Sequence, residues 1–248
     1  MRRRIFHGGR HRIRGAVAVL CTCVLGLSDP AWAQSSPVLR LATQDLPPYQ
    51  MIEGDAMTGI AVERVRCALD AINVPYELHM TVWADAQLGT QTGRFDGFFV
   101  GSATNTRANY AVPSEAVVSE DLAWYLPLGS DIDPNDPGDA LSARYSAKFA
   151  TSKWQLLHRN GYNVVMRPRD AESLLNMLIV GDIDVALEYE MIFAHYMEKR
   201  GLSEDQFRKI PFRRQDMSVH FSKQYTEANP LFLSRFNSQM QRCMSEPQ

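Results

Sequence analysis

Hydrophobic and polar residues alternate over 38–43, Val-Leu-Arg-Leu-Ala-Thr, with the period of a half-buried strand. Pro47 and Pro48 then force an extended loop, because a proline keeps the residue before it out of the helical region. Over 59–73 the period lengthens: Ala61, Val65, Ala68, Leu69 and Ile72 form a stripe of 3.6-residue spacing that predicts a helix, with Cys67 toward its flank. Pro75 ends that helix ahead of a strand over 76–80. A second helical stretch from Trp83 to Gly93 runs into Phe95-Asp-Gly-Phe-Phe-Val100, a short apolar run typical of a strand covered on both faces. Gly101 to Arg107 reads as a polar turn leading into a short helix.

The stretch 130–139, rich in Asp, Pro and Asn, breaks every period and reads as a surface loop near a lobe boundary. Beyond it strands near 147–150, 163–166 and 183–187 alternate with helices over 152–160 and 170–180, each helix stopped by a glycine, Gly161 and Gly181. Asp170 suits the N-cap of the second of these, with Glu172 favouring the helix dipole in its first turn. A helix over 190–200, short strands over 209–212 and 217–221, and an amphipathic segment over 230–244 built on Leu231, Phe232, Phe236 and Met240 complete the chain. This twice-repeated alternation implies two doubly wound α/β units.

Charge is distributed unevenly. The first 33 of the 248 residues hold six of the 26 Lys and Arg and one of the 28 Asp and Glu, so the rest is acidic, with a net charge of about −7. Arg2, Arg3, Arg4, Arg10, Arg12 and Arg14 precede an apolar run of 13 residues, 15–27, and Ala31-Trp-Ala33 completes an export-signal pattern with cleavage before Gln34. That run falls short of the roughly 20 residues a membrane span needs. Arg3-Arg4 leaves the twin-arginine route open beside the general one. An acidic surface without basic runs disfavours nucleic acid as a partner, and 45% hydrophobic residues suffice for a packed core. Cys67 and Cys243 are the two cysteines left after cleavage; export to an oxidising compartment makes them disulfide candidates, and scattered histidines offer no metal spacing. No cofactor is expected.

Open α/β sheets bind ligands beyond the carboxyl ends of their strands, which here carry residues 45–49, 101–107, 150–152 and 188–190. Candidate ligand contacts are therefore Asp45, Tyr49, Ser102, Thr104, Arg107, Thr151, Ser152, Glu188 and Tyr189. Ser102 follows a strand and a glycine, so its N–H and hydroxyl suit an anionic group, while Arg107 offers a two-pronged contact to a carboxylate. Thr151 and Ser152 stand at a helix start, where a cap and an anion site are compatible. Tyr49 is expected to stack over the ligand or, in the plainer reading, to pack on the first helix; Trp83 is expected to pack between elements.

The order and spacing of Pro47-Pro48-Tyr49, Gly59, Glu63, Trp83, Gly93, Asp96, Ser102, Thr104, Arg107 and Ser114, then Thr151, Leu178, Gly181 and Asp184, resemble the bacterial family 3 extracellular solute-binding proteins of the polar-amino-acid type. The likeness covers most of the chain after residue 33. It implies the type 2 periplasmic-binding-protein fold: two α/β lobes, a ligand cleft between them, and a chain that crosses twice before its last helix returns to the first lobe. On that pattern lobe 1 is 34–124 plus 216–248 and lobe 2 is 125–215, with crossings near 124–126 and 216–220. The returning helix would bring Cys243 beside Cys67, and Ser102 with Arg107 looks like the family's carboxylate clamp. One position departs: where relatives that bind α-amino acids place an aspartate for the ammonium group, five residues after Asp184, this chain has Tyr189. Glu188 and Glu190 flank it and either could replace the lost charge if the loop is shifted, but strand alternation sends both the opposite way from Tyr189, which opens the site to a carboxylate without an α-amino group or to an aromatic ligand.

The resemblance implies a monomeric periplasmic protein that captures a small carboxylate-bearing solute, an amino acid or related organic acid, for an ABC-type permease in the inner membrane. A dehydratase-like enzyme on the same fold is the alternative, with Glu188, Glu190 or His158 as acid or base. A sensory or accessory binding protein is the third reading.

Overall fold

The structure, a computed structural model, describes residues 38–245; the leader expected over 1–33 lies outside them. In chain order the elements are β1 Leu39–Thr43, β2 Met51–Glu53, β3 Ala56–Thr58, α1 Ile60–Ala71, β4 Tyr76–Met80, α2 Trp83–Gln91, β5 Gly97–Gly101, α3 Asn105–Ala108 and β6 Ala111–Pro127. There follow α4 Pro137–Ser142, β7 Tyr145–Ser146, α5 Ser152–Arg159, α6 Ala171–Ile179, β8 Val185–Tyr189, α7 Glu190–Lys199, β9 Phe207–Ser222, α8 Lys223–Ala228 and α9 Phe232–Ser245. The mixed α/β class agrees with the sequence pattern.

Seven strands form one sheet in the order β4-β1-β5-β9-β6-β8-β7. At one end β4, β1 and β5 run parallel, and at the other β8 and β7 do; between them β6 and β9 pair antiparallel from Ala111 with Ser222 to Pro127 with Phe207. The two α/β halves therefore hang on one long two-stranded ribbon. β5 joins it near His220, and β8 joins it over Leu122–Tyr125. Each half starts its inner strand in the same way. After Gly93, at φ 80°, Asp96 accepts from the backbone N–H and side chain of Arg40; after Gly181, at φ 78°, Asp184 accepts from the backbone N–H and side chain of Arg144, the last at 2.6 Å. The Gly-x-x-Asp spacing is thus a repeated structural device that ties one strand start to the next.

The first loop is fixed by backbone. The N–H of Ala61 in α1 donates to the carbonyl of Tyr49 at 2.9 Å, and a Cβ on Gly59, whose φ is 114°, would lie 2.5 Å from that same carbonyl oxygen, so only glycine allows the approach. Tyr49 is buried and its hydroxyl donates to Glu120 on the ribbon. Cys67 on α1 and Cys243 on α9 form the expected disulfide, with Cα atoms 6.0 Å apart. Phe232, Phe236 and Met240 bury the apolar face of α9 in the main core, as their spacing implied.

Several elements differ from expectation. The strand expected over 163–166 makes a single bridge, Val164 to Tyr145, and the one expected over 147–150 is replaced by Tyr145–Ser146 and a turn. The two short strands read near the C-terminus are one continuous β9, because the polar Arg213–Asp216 stretch between them is the exposed middle of the ribbon. Loop 130–139 contains the start of α4, capped by Asp136.

Candidate functional site

A cavity of about 30 Å³ lies where the ends of β1, β5 and β8 meet the start of α5. Arg107, Ser102, Lys148, Ser152, Lys153 and Tyr189 line it. It shares Gln44, Trp83 and Lys148 with an outer cavity of about 380 Å³ flanked by Asp45, Phe149, Asp170 and Tyr196.

Arg107 occupies the floor. Thr104 caps the short α3 by accepting from the Arg107 backbone N–H, and the side chain turns inward over the rings of Trp83 and Phe98, 5.1 and 5.5 Å from their centroids. Only 4% of the residue is exposed, and its guanidinium donates to the Ser102 carbonyl at 2.5 Å and twice to Gln87 Oε1, at 3.1 and 3.0 Å. All of these acceptors are neutral, and no carboxylate among the described residues forms an ion pair with Arg107. Burial pulls its pKa below the ordinary arginine value. Behind it His220 stacks on Phe98, the ring centroids 4.8 Å apart, and shares a 2.9 Å hydrogen bond with the Gly101 carbonyl; burial and then the charge of Arg107 push its pKa down to about 4.

The facing wall is the start of α5. Thr151 caps the helix by accepting from the Trp154 N–H and donates to the Lys148 carbonyl at 2.6 Å, which ties the lysine's turn to the helix. Between them Ala150 takes φ 60°, a left-handed conformation that costs a residue with a Cβ about 1–2 kcal/mol. Lys148 donates to Gln44 across the cleft, and burial followed by repulsion from Lys153 lowers its pKa to about 8. Lys153 pairs with Glu188, both buried, with its ammonium 4.3 Å from the centre of the Tyr189 ring. Ser102 and Ser152 meet hydroxyl to hydroxyl at 2.6 Å. These two direct contacts between the walls account for the small cavity.

Of the residues singled out in the sequence, Ser102, Arg107, Thr151, Ser152 and Tyr189 come together at the inner cavity, and Asp45 stands exposed at the outer one. Thr104 lines neither cavity and serves as a cap. Tyr49 lies in the core against α1, the plainer of its two readings, because its carbonyl is held by the helix start. Glu188 is turned away behind Lys153, on the opposite face of β8 from Tyr189, as strand alternation requires. The acid or base candidates of an enzyme do not line either cavity: Glu190 pairs with Lys209 at 2.8 Å, and His158 packs at a tilt against Trp154, 3.9 Å between ring centroids. Lys148, Lys153 and Gln44 escaped the sequence reading. The signal for the lysines was present in Lys148-Phe-Ala-Thr-Ser-Lys153, two cations bracketing a capped helix start at a strand end.

No protein-family model matches the chain, and comparison with curated proteins finds no match either. Solved structures do share its fold. A histidine kinase sensor domain with similarity to periplasmic binding proteins superposes with a TM-score of 0.71 at 16% identity over 84% of this chain and 90% of that one. The arginine-, lysine-, histidine-binding protein ArtJ from Geobacillus stearothermophilus gives 0.69 at 12% identity over 84% and 90%. The arginine-bound form of ArgBP from T. maritima gives 0.67 at 14% identity over 83% and 95%. The fold is that of the two-lobe periplasmic binding proteins.

Proposed function

We propose that residues 34–248 form an exported periplasmic solute-binding protein, a monomer that closes two lobes on a small carboxylate-bearing molecule and delivers it to an ABC-type permease in the inner membrane. The observation that carries this reading is Arg107: a buried guanidinium with only neutral partners, at the floor of a cavity between two α/β halves. An ion held out of water without a counter-charge costs several kcal/mol, which a bound carboxylate offsets. Ser102 and Ser152 face each other from opposite walls, so a ligand inserted between them would replace their mutual hydrogen bond with one bond to each half. That is how a hinge protein couples binding to closure.

The strand pairing supports a hinge slightly earlier than the sequence suggested. Trp124 pairs with Leu187 and packs on Tyr145, which supports placing it with lobe 2; the span of the ribbon paired with neither β5 nor β8 is Val118–Asp121 opposite Arg214–Met217. We assign the crossings there.

The sensor-domain neighbour favours one second reading, in which the closed form is read by a partner protein rather than a permease. Both readings share one test. The mature protein, refolded from denaturant to remove any carried ligand, is melted against a panel of carboxylates. A true ligand at 100 times its Kd should add about 2.7 kcal/mol, and no shift with any carboxylate contradicts the proposal.

A further inference from the structure

We infer that the ligand is a small dianion, a short dicarboxylate without an ammonium group, gripped at one end by Arg107 and Ser102 and at the other by Lys148 and Lys153. This rests on the solute-binding reading and narrows it to a charge class.

Three cations line the inner cavity, Arg107, Lys148 and Lys153, and no carboxylate among the described residues lines it. Each is nearly removed from water, at 4, 5 and 4% exposure. Behind the wall Glu188 neutralises Lys153, so the pair cancels. Arg107 and Lys148 have no such partner: the first donates to Gln87 and a carbonyl, the second to the neutral amide of Gln44. Three acidic side chains line the outer cavity, and none forms an ion pair with Lys148: Asp45 is exposed, Asp170 caps α6 through the Ser173 N–H at 2.7 Å, and Glu172 pairs with Lys199 at 3.2 Å. The site thus carries two positive charges in excess, in surroundings where each costs several kcal/mol until a counter-charge arrives.

Their placement sets the ligand's shape. Arg107 and Ser102 stand beyond β5 on one wall, and Lys148 and Lys153 flank the start of α5 on the other. A monocarboxylate satisfies one wall. A second carboxylate is needed to compensate Lys148, and the direct contacts between the walls favour a short spacer. An ammonium group finds no carboxylate in the inner cavity: the residue at the end of β8 that faces it is Tyr189, over whose ring the Lys153 ammonium already lies, and Glu188 is reached only behind that lysine. A cationic amino acid would add a third positive charge.

The test is calorimetric titration of the refolded mature protein with malonate, succinate and glutarate as dianions, propionate as a monoanion, and arginine and glutamine as amino acids. The expected result is that at least one dicarboxylate binds 100-fold or more tighter than propionate and that arginine gives no heat. Lys148→Met should weaken that dicarboxylate at least tenfold and change propionate less than threefold; Lys148→Gln, which keeps a polar head, is the second variant and should do the same. Arg107→Met should weaken both anion classes. If arginine or glutamine binds tighter than every dicarboxylate, the dianion inference falls and the carboxylate-binding reading stands. If no carboxylate of any kind binds, both fall.

Discussion

Replacing Arg107 with methionine separates a ligand-binding arginine from a structural one, because the two roles make opposite demands on folding and affinity. The side chain makes three short hydrogen bonds, two to Gln87 and one to the Ser102 carbonyl, beside a long one of 3.5 Å to the Ser102 hydroxyl. At roughly 1.5–3 kcal/mol for a bond to a charged group, these contribute about 5–9 kcal/mol. Against them stands the desolvation of an ion without a counter-charge, again several kcal/mol, and the two nearly cancel. Methionine refills the slot over Trp83 and Phe98 with a flexible thioether that suits aromatic neighbours. Urea unfolding without ligand should therefore change by less than about 1.5 kcal/mol, within the range of a well-tolerated core substitution. Binding should suffer far more: losing one partner of a desolvated charge pair costs about 2–5 kcal/mol, or roughly 30-fold to several thousand-fold in Kd. Arg107→Lys should recover only part of this, since it keeps the charge and loses the planar fork. A loss of stability above about 3 kcal/mol with affinity unchanged within threefold would show that Arg107 merely braces α3 and α2.

Further outcomes follow from the same geometry. The Cys67–Cys243 bridge closes a span of 176 residues, for which chain entropy gives about 5 kcal/mol as an upper bound, so Cys67→Ala with Cys243→Ala should lower the urea midpoint well below that of wild type; an unchanged midpoint would refute the crosslink's role. His220 is held neutral, with its pKa near 4 against an unfolded value near 6.5, so between those two the unfolded chain takes up a proton that the native one does not. Stability should fall by about 3 kcal/mol as pH drops from 6.5 to 4, and His220→Gln should flatten that part of the curve; an equal slope in both proteins would contradict it. Burial and the neighbouring Lys153 lower the Lys148 pKa to about 8, and an anion beside it raises that value. Above pH 8 the complex therefore holds more protons than the free protein, so anion affinity should decline up to tenfold per pH unit in calorimetry, with the decline absent in Lys148→Met.

How far the sequence reveals this molecule depends on whether a local signal survives tertiary context. The strand Tyr76–Met80, bounded by Pro75, and the cap at Asp170 with its accepted Ser173 N–H are plainly visible, since each rests on chemistry within a few residues. The ribbon is not. β6 and β9 carry charged residues in mid-strand where they pass between the two halves, so neither alternation nor an apolar run marks them as single strands of 17 and 16 residues. Tyr49 illustrates a different loss: nothing local says that the helix start will capture its carbonyl and carry the ring into the core. Strand alternation did separate Tyr189 from Glu188, because that rule needs only the strand to exist. The two lysines bracket a capped helix start in the sequence, but that both enter the cavity depends on the turn at Ala150, whose left-handed backbone is a property of the folded chain.

The most direct test is a crystal structure of the mature protein saturated with its tightest-binding carboxylate. Carboxylate oxygens should lie at hydrogen-bond distance, about 3 Å, from the Arg107 guanidinium and from Ser102, with the Ser102–Ser152 contact broken and its place taken by the ligand. Ligand density confined to the outer cavity beside Phe149 and Tyr196, with Arg107 still bound only to Gln87 and Ser102, would contradict the account.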